Sequence, residues 1–501
     1  MVIACRMYLT TLDIIIIKHM NIWFSPLLIL VLSINPVFAG GAHAGGIHAG
    51  DDAAGDSEAP GILYETIRSP GTEPHKPDYS HVSETDMDSI FFAFNRPDTT
   101  GCAVGVVCNG ELIFSKGYGV ANLDYGIPIR PDSRFMIASI SKQFAAAALM
   151  MMAQEGVLDL DENLRTYIPE LPEFEKPITA RQIIHHTSGL RDIFNLLSLA
   201  DIGLDNTTTN EDALVMLSRQ QRLNFDPGSE HLYSNSGYFL MSVLVKNVTG
   251  MSLRDYTHKH FFEPIGMTAT HWHDDTEMIV PNRVISYRPT SRGPGQFYRG
   301  NMERIGARGL FTTIEDFAKW DANFIENHSH LEDFTRTMTR PGFTHSRDSI
   351  NYATGLRHGK YKALPTVGHG GSYMGFRTHY MRFPKYQMGF IVFCNQSDIS
   401  PATYSRQVAD LYLREAFSDQ FREYAADYRN EPLDVSFSVI LEDGDLYLKR
   451  PDGDQQRMLW TDSDRFRAGR WNLRFQRDDN GGITRFTMEA PRTGTITFHK
   501  K

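Results

Sequence analysis

From Phe135 to Met152 apolar residues occupy every face of a helix instead of one stripe, which predicts a helix buried all round. Two reactive polar side chains, Ser139 and Lys142, stand in its first turn, and the pattern predicts its end near Glu155-Gly156. Ahead of it, residues 103–108 and 111–118 read as strands, and Asn109-Gly110 between them is a strong hairpin signal. A loop-rich region with further helices fills 160–330. In it Phe225-Asp226-Pro227-Gly228 is a turn, 237–250 reads as an apolar helix stopped by glycine, and Thr313 to Asp316 resembles a capping arrangement at a helix start. Residues 365–394 return to strand-like alternation and 401–417 read as a terminal helix. Strands at both ends of a helical middle imply an α+β domain, spanning 85–417, whose first and last segments share one sheet. Between 430 and 501 turn signals recur at short intervals (Glu442-Asp443-Gly444-Asp445, Pro451-Asp452-Gly453-Asp454, Asp478-Asp479-Asn480-Gly481-Gly482), which predicts a small antiparallel β domain.

The N-terminus reads differently. Residues 21–34 form an apolar run too short and too proline-interrupted for a membrane span, followed by small residues, as in a signal peptide. Cleavage after Ala39 or Ala44 would give a leader of 1–39 or slightly more, and the long stretch before Met20 leaves open a later start or an uncleaved anchor. Residues 40–84 open with Gly, Ala, His and Asp and form a tether; His43 and His48 there are solvated linker residues, and no metal is expected. Export places the protein in the periplasm or outside the cell.

A net charge of −10 over 501 residues is mildly acidic. No basic block or aromatic-basic interleaving of the kind nucleic acid requires is evident, so nucleic acid is not an expected partner, and a membrane is one only through an uncleaved leader. Downstream of the leader, Cys102 and Cys108 lie about 20 Å apart along one strand, beyond disulfide reach. Cys394 could face either across a sheet, but buried free thiols are the expectation.

The chemistry concentrates at three places. Helix geometry sets residues three apart on one face, so Ser139 and Lys142 meet at the helix N-terminus, where free N–H groups and the dipole favour an oxyanion. A serine opening a helix is commonly only an N-cap. Against that, this is the sole Ser-x-x-Lys of the chain, and a lysine in an apolar helix needs a reason to be desolvated. Tyr233 and Asn235, two apart before the helix of 237–250, place a phenol and a carboxamide on one side of an extended loop. Gly368-His369-Gly370-Gly371-Ser372 lets backbone approach a ligand closely. Tyr428-Arg429-Asn430 repeats Tyr-x-Asn but lies in the trailing domain.

Ser-x-x-Lys, Tyr-x-Asn and His-x-Gly, in this order and spacing, resemble the motifs of the penicillin-recognising serine hydrolases. Within that superfamily the chain resembles the branch of class C β-lactamases, D-alanyl-D-alanine carboxypeptidases, D-aminopeptidases and related esterases. Residues 184–190, 225–228, 233–238 and 309–313 are also similar to family blocks, so the likeness covers about 85–415. It implies a β-lactamase-like fold: an antiparallel sheet flanked by helices with an all-helical subdomain. It implies an acyl-enzyme on Ser139, proton transfer shared by Lys142 and Tyr233, substrate contacts from Asn235, His369, Gly371 and Ser372, and an oxyanion hole from the N–H groups of Ser139 and Ser372. A nearby ammonium would favour the phenolate of Tyr233, and which group takes the first proton stays open. Residues 186–189 read as a structural loop.

One departure bears on substrate. β-Lactamases of this branch usually carry Lys-Thr-Gly where this chain has His369, and a neutral imidazole holds a carboxylate less well. The expectation is therefore a serine hydrolase of D-amino-acid peptides, amides or small esters, without cofactor, with β-lactamase or a non-catalytic scaffold as alternatives. The 430–501 domain resembles accessory barrels of D-aminopeptidase-like members. Oligomeric state is not legible.

Overall fold

The computed structural model describes residues 79–203, 206–291, 293–298, 300, 303–490, 492 and 494–501. The expected leader, and the tether up to residue 78, lie outside them. The folded domain starts earlier than 85, because Tyr79 and Val82 already pack on the core and Ser83 caps helix α1 (Glu84–Ile90).

The expected hairpin forms. Strands β1 (Cys102–Cys108) and β2 (Glu111–Tyr118) flank Asn109 and Gly110, both at positive φ (50° and 84°) as a tight hairpin turn needs. The buried helix also forms, but one turn later than the pattern suggests. A 3-10 turn over Ala138–Ser141 carries Ser139, and α2 (Lys142–Gln154) follows, buried on almost every face. Next come α3 (Asn235–Thr249), stopped by Gly250 at φ 73°, and α4 (Ile314–Glu326), capped by Thr313, whose side chain accepts from the Asp316 N–H. Strands β3 (Arg357–Tyr361), β4 (Leu364–Tyr373), β5 (Phe376–Phe383) and β6 (Met388–Cys394) complete the sheet. The expected terminal helix is two helices, α5 (Pro401–Tyr412) and α6 (Arg414–Phe421).

The sheet order is β3-β4-β5-β6-β1-β2, so the first and last segments share one sheet, with β1 between β6 and β2. Both faces of β1 are covered, which explains its unbroken apolar sequence. Ala103 and Val107 face the core around α2, while Cys102, Val104 and Val106 face the layer of α1, α5 and α6. One buried charge cluster ties α4 to the sheet. Asp321 on α4, fully buried, accepts from the Tyr380 hydroxyl at 2.5 Å and from the Arg382 guanidinium.

The free-thiol expectation is overturned. The register sets Cys102 opposite Cys394, and the two form a disulfide closing a separation of 292 residues; Cys108 remains outside it. Strand pairing between chain ends supplied the partner, which spacing along the sequence could not. Reduction, or Cys102→Ala with Cys394→Ala, is expected to lower stability by about 2–4 kcal/mol. Thermal unfolding with and without reductant measures it.

The trailing domain is a closed eight-stranded antiparallel barrel: β7 (Ala426–Asn430), β8 (Val435–Glu442), β9 (Asp445–Lys449), β10 (Gln455–Asp462), β11 (Arg465–Ala468), β12 (Trp471–Arg477), β13 (Ile483–Ala490) and β14 (Gly494–Lys500). It begins four residues before the expected boundary, so Tyr428 and Asn430 belong to its first strand. Tyr428, Phe466, Phe475, Phe486 and Phe498 fill its interior. The turn between β3 and β4 docks on it: Lys362, almost buried, pairs with Asp410 of α5 at 2.7 Å and with Asp445 of β9 at 2.8 Å.

Candidate active site

Ser139 owes its position to the residues before it. Ile137 donates its N–H to Leu310 O (3.0 Å), and its carbonyl accepts from the Thr378 hydroxyl (2.9 Å), so the turn is held from two sides. Ala138 adopts φ 49°, a left-handed conformation that costs a non-glycine residue of order 1 kcal/mol and that the packed surroundings impose. Ser139, the second residue of this turn, is half-buried beside buried Lys142.

The lysine amine has three neighbours. Nζ lies 2.9 Å from Asn235 Oδ1, 3.0 Å from Ala307 O and 3.2 Å from Ser139 Oγ. Burial, with Arg308 and Arg357 nearby, holds it well below the ordinary lysine range, against a smaller opposing pull from Asp192. A neutral amine has two hydrogens and one lone pair. Asn235 Oδ1 and Ala307 O, which can only accept, take both hydrogens, and the lone pair then faces the Ser139 hydroxyl.

Tyr233 borders the same space. The Lys142 amine lies 4.8 Å from its ring centroid. Burial pushes its hydroxyl up to about 12, a shift that the hydrogen bond with Ser139 and the charge of Arg357 reduce without cancelling. At neutral pH the phenol keeps its proton, which corrects the expectation of a phenolate: the neighbouring amine is itself driven toward neutrality. Asn235, first residue of α3, is fixed from behind by Asp192, whose Oδ2 accepts from its backbone N–H (2.7 Å) and its side-chain amide (2.9 Å). His186 supports the Tyr233 loop as a structural residue. Its Nδ1 accepts from the Ser234 N–H at 3.2 Å, and its ring lies 4.4 Å from that of Tyr233.

The third motif arrives on β4. Strand β3 pairs with β4 only as far as Gly368, so residues 369–373 have β5 on one side and, among the described residues, no strand on the other. Gly371 makes the close approach: a Cβ there would sit 2.5 Å from Ile137 O and 2.1 Å from Thr378 Oγ1. The strand therefore lies against the Ser139 turn only because residue 371 is glycine, and Ser372 follows, half-buried. Gly371→Ala should push the strand off the turn. A loss of about a hundredfold in the rate of serine acylation is expected, read as the inactivation rate by a fluorophosphonate. The His369 ring is buried and occupied within the protein, its Nδ1–H donating to Gly370 O (2.6 Å) and its Nε2 accepting from the Tyr352 hydroxyl (3.1 Å). Burial, Arg357 and Lys142 hold it well below the usual histidine range, so it carries no charge at neutral pH.

All seven expected residues thus gather at one end of α2. Four others escape sequence reading. Asp192 has a local signal, since it caps the helix Ile193–Leu199. Ala307, Tyr352 and Arg357 have none, because tertiary packing alone brings them in. Arg357, exposed on β3, has its guanidinium carbon 5.1 Å from the Tyr233 ring centroid and 5.7 Å from that of Tyr352. Among the described residues, no cluster of three His, Cys, Asp or Glu side chains is arranged to hold a metal ion.

A D-aminopeptidase of Cereibacter sphaeroides is 28% identical over 332 residues, 66% of this chain and 63% of that protein. One of Gluconobacter oxydans is 25% identical over 297 residues, 59% and 55% of the two chains. The chain thus spans less than two thirds of the length of these relatives. Among solved structures, the octameric penicillin-binding protein homologue of Pyrococcus abyssi superposes with a TM-score of 0.58 at 20% identity, over 84% of this chain and all of that one. D-amino acid amidase of Ochrobactrum anthropi SV3 superposes at 0.54 and 22% identity, over 67% and 99%. The family model Beta-lactamase matches residues 87–413, nearly the whole domain that holds the site, and the chain belongs to the beta-lactamase family.

Proposed function

We propose that the protein is an exported serine hydrolase that works through an acyl-enzyme on Ser139. The observation that carries this reading is the placement of the Lys142 amine, 2.9 Å from Asn235 Oδ1, 3.0 Å from Ala307 O and 3.2 Å from the Ser139 hydroxyl. Lys142 takes the serine proton as Oγ attacks the carbonyl. The backbone N–H groups of Ser139 and Ser372 receive the oxyanion. Tyr233, protonated at rest, delivers a proton to the leaving group and then recovers one from the water that releases the acyl group. Asn235 Nδ2 retains one hydrogen for a substrate carbonyl. Substrates are D-amino-acid peptides or amides, or small esters, a reading that the D-aminopeptidase relatives support.

The test is intact mass after incubation with a fluorophosphonate and, separately, a labelled penicillin, against Ser139→Ala. A serine-dependent adduct supports the acyl-enzyme; a folded protein labelled by neither reagent refutes it in favour of a scaffold.

A second reading rests on Arg357. Among the described residues it makes no ion pair, and it brings to this end of the site a charge that neutral His369 lacks. That favours substrates with a free carboxylate, including D-alanyl peptides and β-lactams. Arg357→Gln is expected to raise KM for a carboxylate-bearing substrate about tenfold and to leave the matching amide unchanged, as separate steady-state assays would read.

A further inference from the structure

The outer wall of the barrel carries a concentration of arginine that the net charge of −10 hides. Ten residues, Arg465 to Arg474, hold Arg465, Arg467, Arg470 and Arg474 and no carboxylate. The run is Arg-Phe-Arg-Ala-Gly-Arg-Trp-Asn-Leu-Arg. Strand alternation sends Phe466, Ala468 and Leu473 into the barrel and Arg465, Arg467 and Arg474 to solvent. The register sets Arg465 directly opposite Arg474, and sets Arg467 between Asn472 and Leu459.

Like charges directly opposite in an antiparallel pair destabilise a sheet. Four other arginines of this domain have carboxylate partners: Arg477 pairs with Glu423 and Asp464, Arg457 with Asp445, Arg429 with Asp434 and Arg450 with Asp452, while Arg485 donates to the Gln476 side-chain oxygen. Among the described residues Arg465, Arg467 and Arg474 make no ion pair. The carboxylates in register nearby, Asp462 opposite Arg465 and Glu489 opposite Asn472, do not reach them. Three guanidiniums thus share one face with no ion pair among the described residues.

We propose that this face binds the anionic phospholipid headgroups of a membrane surface. Guanidinium groups match phosphate oxygens in pairs, and each basic side chain near an anionic bilayer strengthens binding about fivefold. The face is the outside of a closed barrel and so offers a wall instead of a groove. Leu459, 43% exposed beside Arg467, supplies an apolar contact for the headgroup boundary. A single-stranded nucleic acid would need a channel with open aromatic platforms, and Trp471, within the arginine run, is covered by the Arg470 guanidinium at 4.7 Å from its ring centroid. The inference rests on the barrel wall alone and is independent of the chemistry at Ser139.

The full chain would be sedimented with phosphatidylcholine vesicles, with and without phosphatidylglycerol. The variant is Arg465→Gln/Arg467→Gln/Arg474→Gln, and a control of equal net charge is Arg96→Gln/Arg219→Gln/Arg347→Gln. The expected result is phosphatidylglycerol-dependent binding that weakens about a hundredfold in the barrel variant and stays unchanged in the control. Hydrolysis of a soluble substrate should be equal in all three, and the barrel variant should melt no lower than the wild type. An Arg→Lys triple at the same positions should keep most of the binding. Equal binding by wild type and barrel variant, binding indifferent to phosphatidylglycerol, or retention of DNA or a sulphated glycan by a wild type that ignores vesicles would each overturn the proposal.

Discussion

Lys142→Met is expected to leave a folded protein whose kcat/KM is lower by between about a hundredfold and ten-thousandfold, the range that a positioned general base contributes. The side chains are of similar length, so packing around α2 survives. The substitution leaves Asn235 Oδ1 and Ala307 O without their donor, about 1–3 kcal/mol each, and removes a buried amine whose desolvation was itself unfavourable. Ser139→Ala should abolish the covalent adduct altogether. The sign of the pH dependence follows from the depressed lysine. Activity should be low where the amine is protonated and rise with pH as it loses that proton, at pH values well below the ordinary lysine range. Because Tyr233 keeps its proton up to about 12, no loss from its ionisation is expected near neutral pH. Rates with a chromogenic ester across pH test both statements; an acid limb surviving unchanged in Lys142→Met would exclude the lysine as its source.

Asp321→Ala should be among the most destabilising single changes, costing about 3–5 kcal/mol. The Arg382 side chain is 4% exposed and the Asp321 side chain has no exposure, so removing the carboxylate leaves a guanidinium stranded between α4 and β5. Tyr380 loses its acceptor as well. Gly389 is part of the same arrangement, since a Cβ there would sit 2.3 Å from Asp321 Oδ2. Urea unfolding measures the loss, and the double variant Asp321→Leu/Arg382→Met should recover much of it, because the penalty lies in the unpaired charge.

What the sequence made legible was local. The hairpin at Asn109-Gly110, the stop at Gly250 and the cap at Thr313 depend on neighbours within a few residues, and each forms as expected. The order of the three motifs pointed to seven residues that lie together in the fold, because β4 and the loop before α3 come to α2. What escaped depends on distant contacts. The disulfide required knowing that β1 lies beside β6. The low lysine pKa required a burial that composition suggests but does not locate, along with guanidiniums from Arg308 and Arg357. The 3-10 turn at Ser139 depends on Leu310 and Thr378 gripping Ile137, and no helix pattern encodes that. The arginine wall was present in the string, yet a net charge averages it away; strand alternation is what brings it to one face.

The place of β1 in the sheet also governs how the chain can be made. β1 leaves the ribosome with β2, but its other edge belongs to β6, and the bridging cysteines are 292 residues apart. At translation rates of 5–20 residues per second, that edge waits roughly 15 to 60 s for its partner. During the wait an entirely apolar strand is open along one side, a template for aggregation. The domain has high contact order at its centre, so its core cannot close until synthesis of this part of the chain is nearly complete.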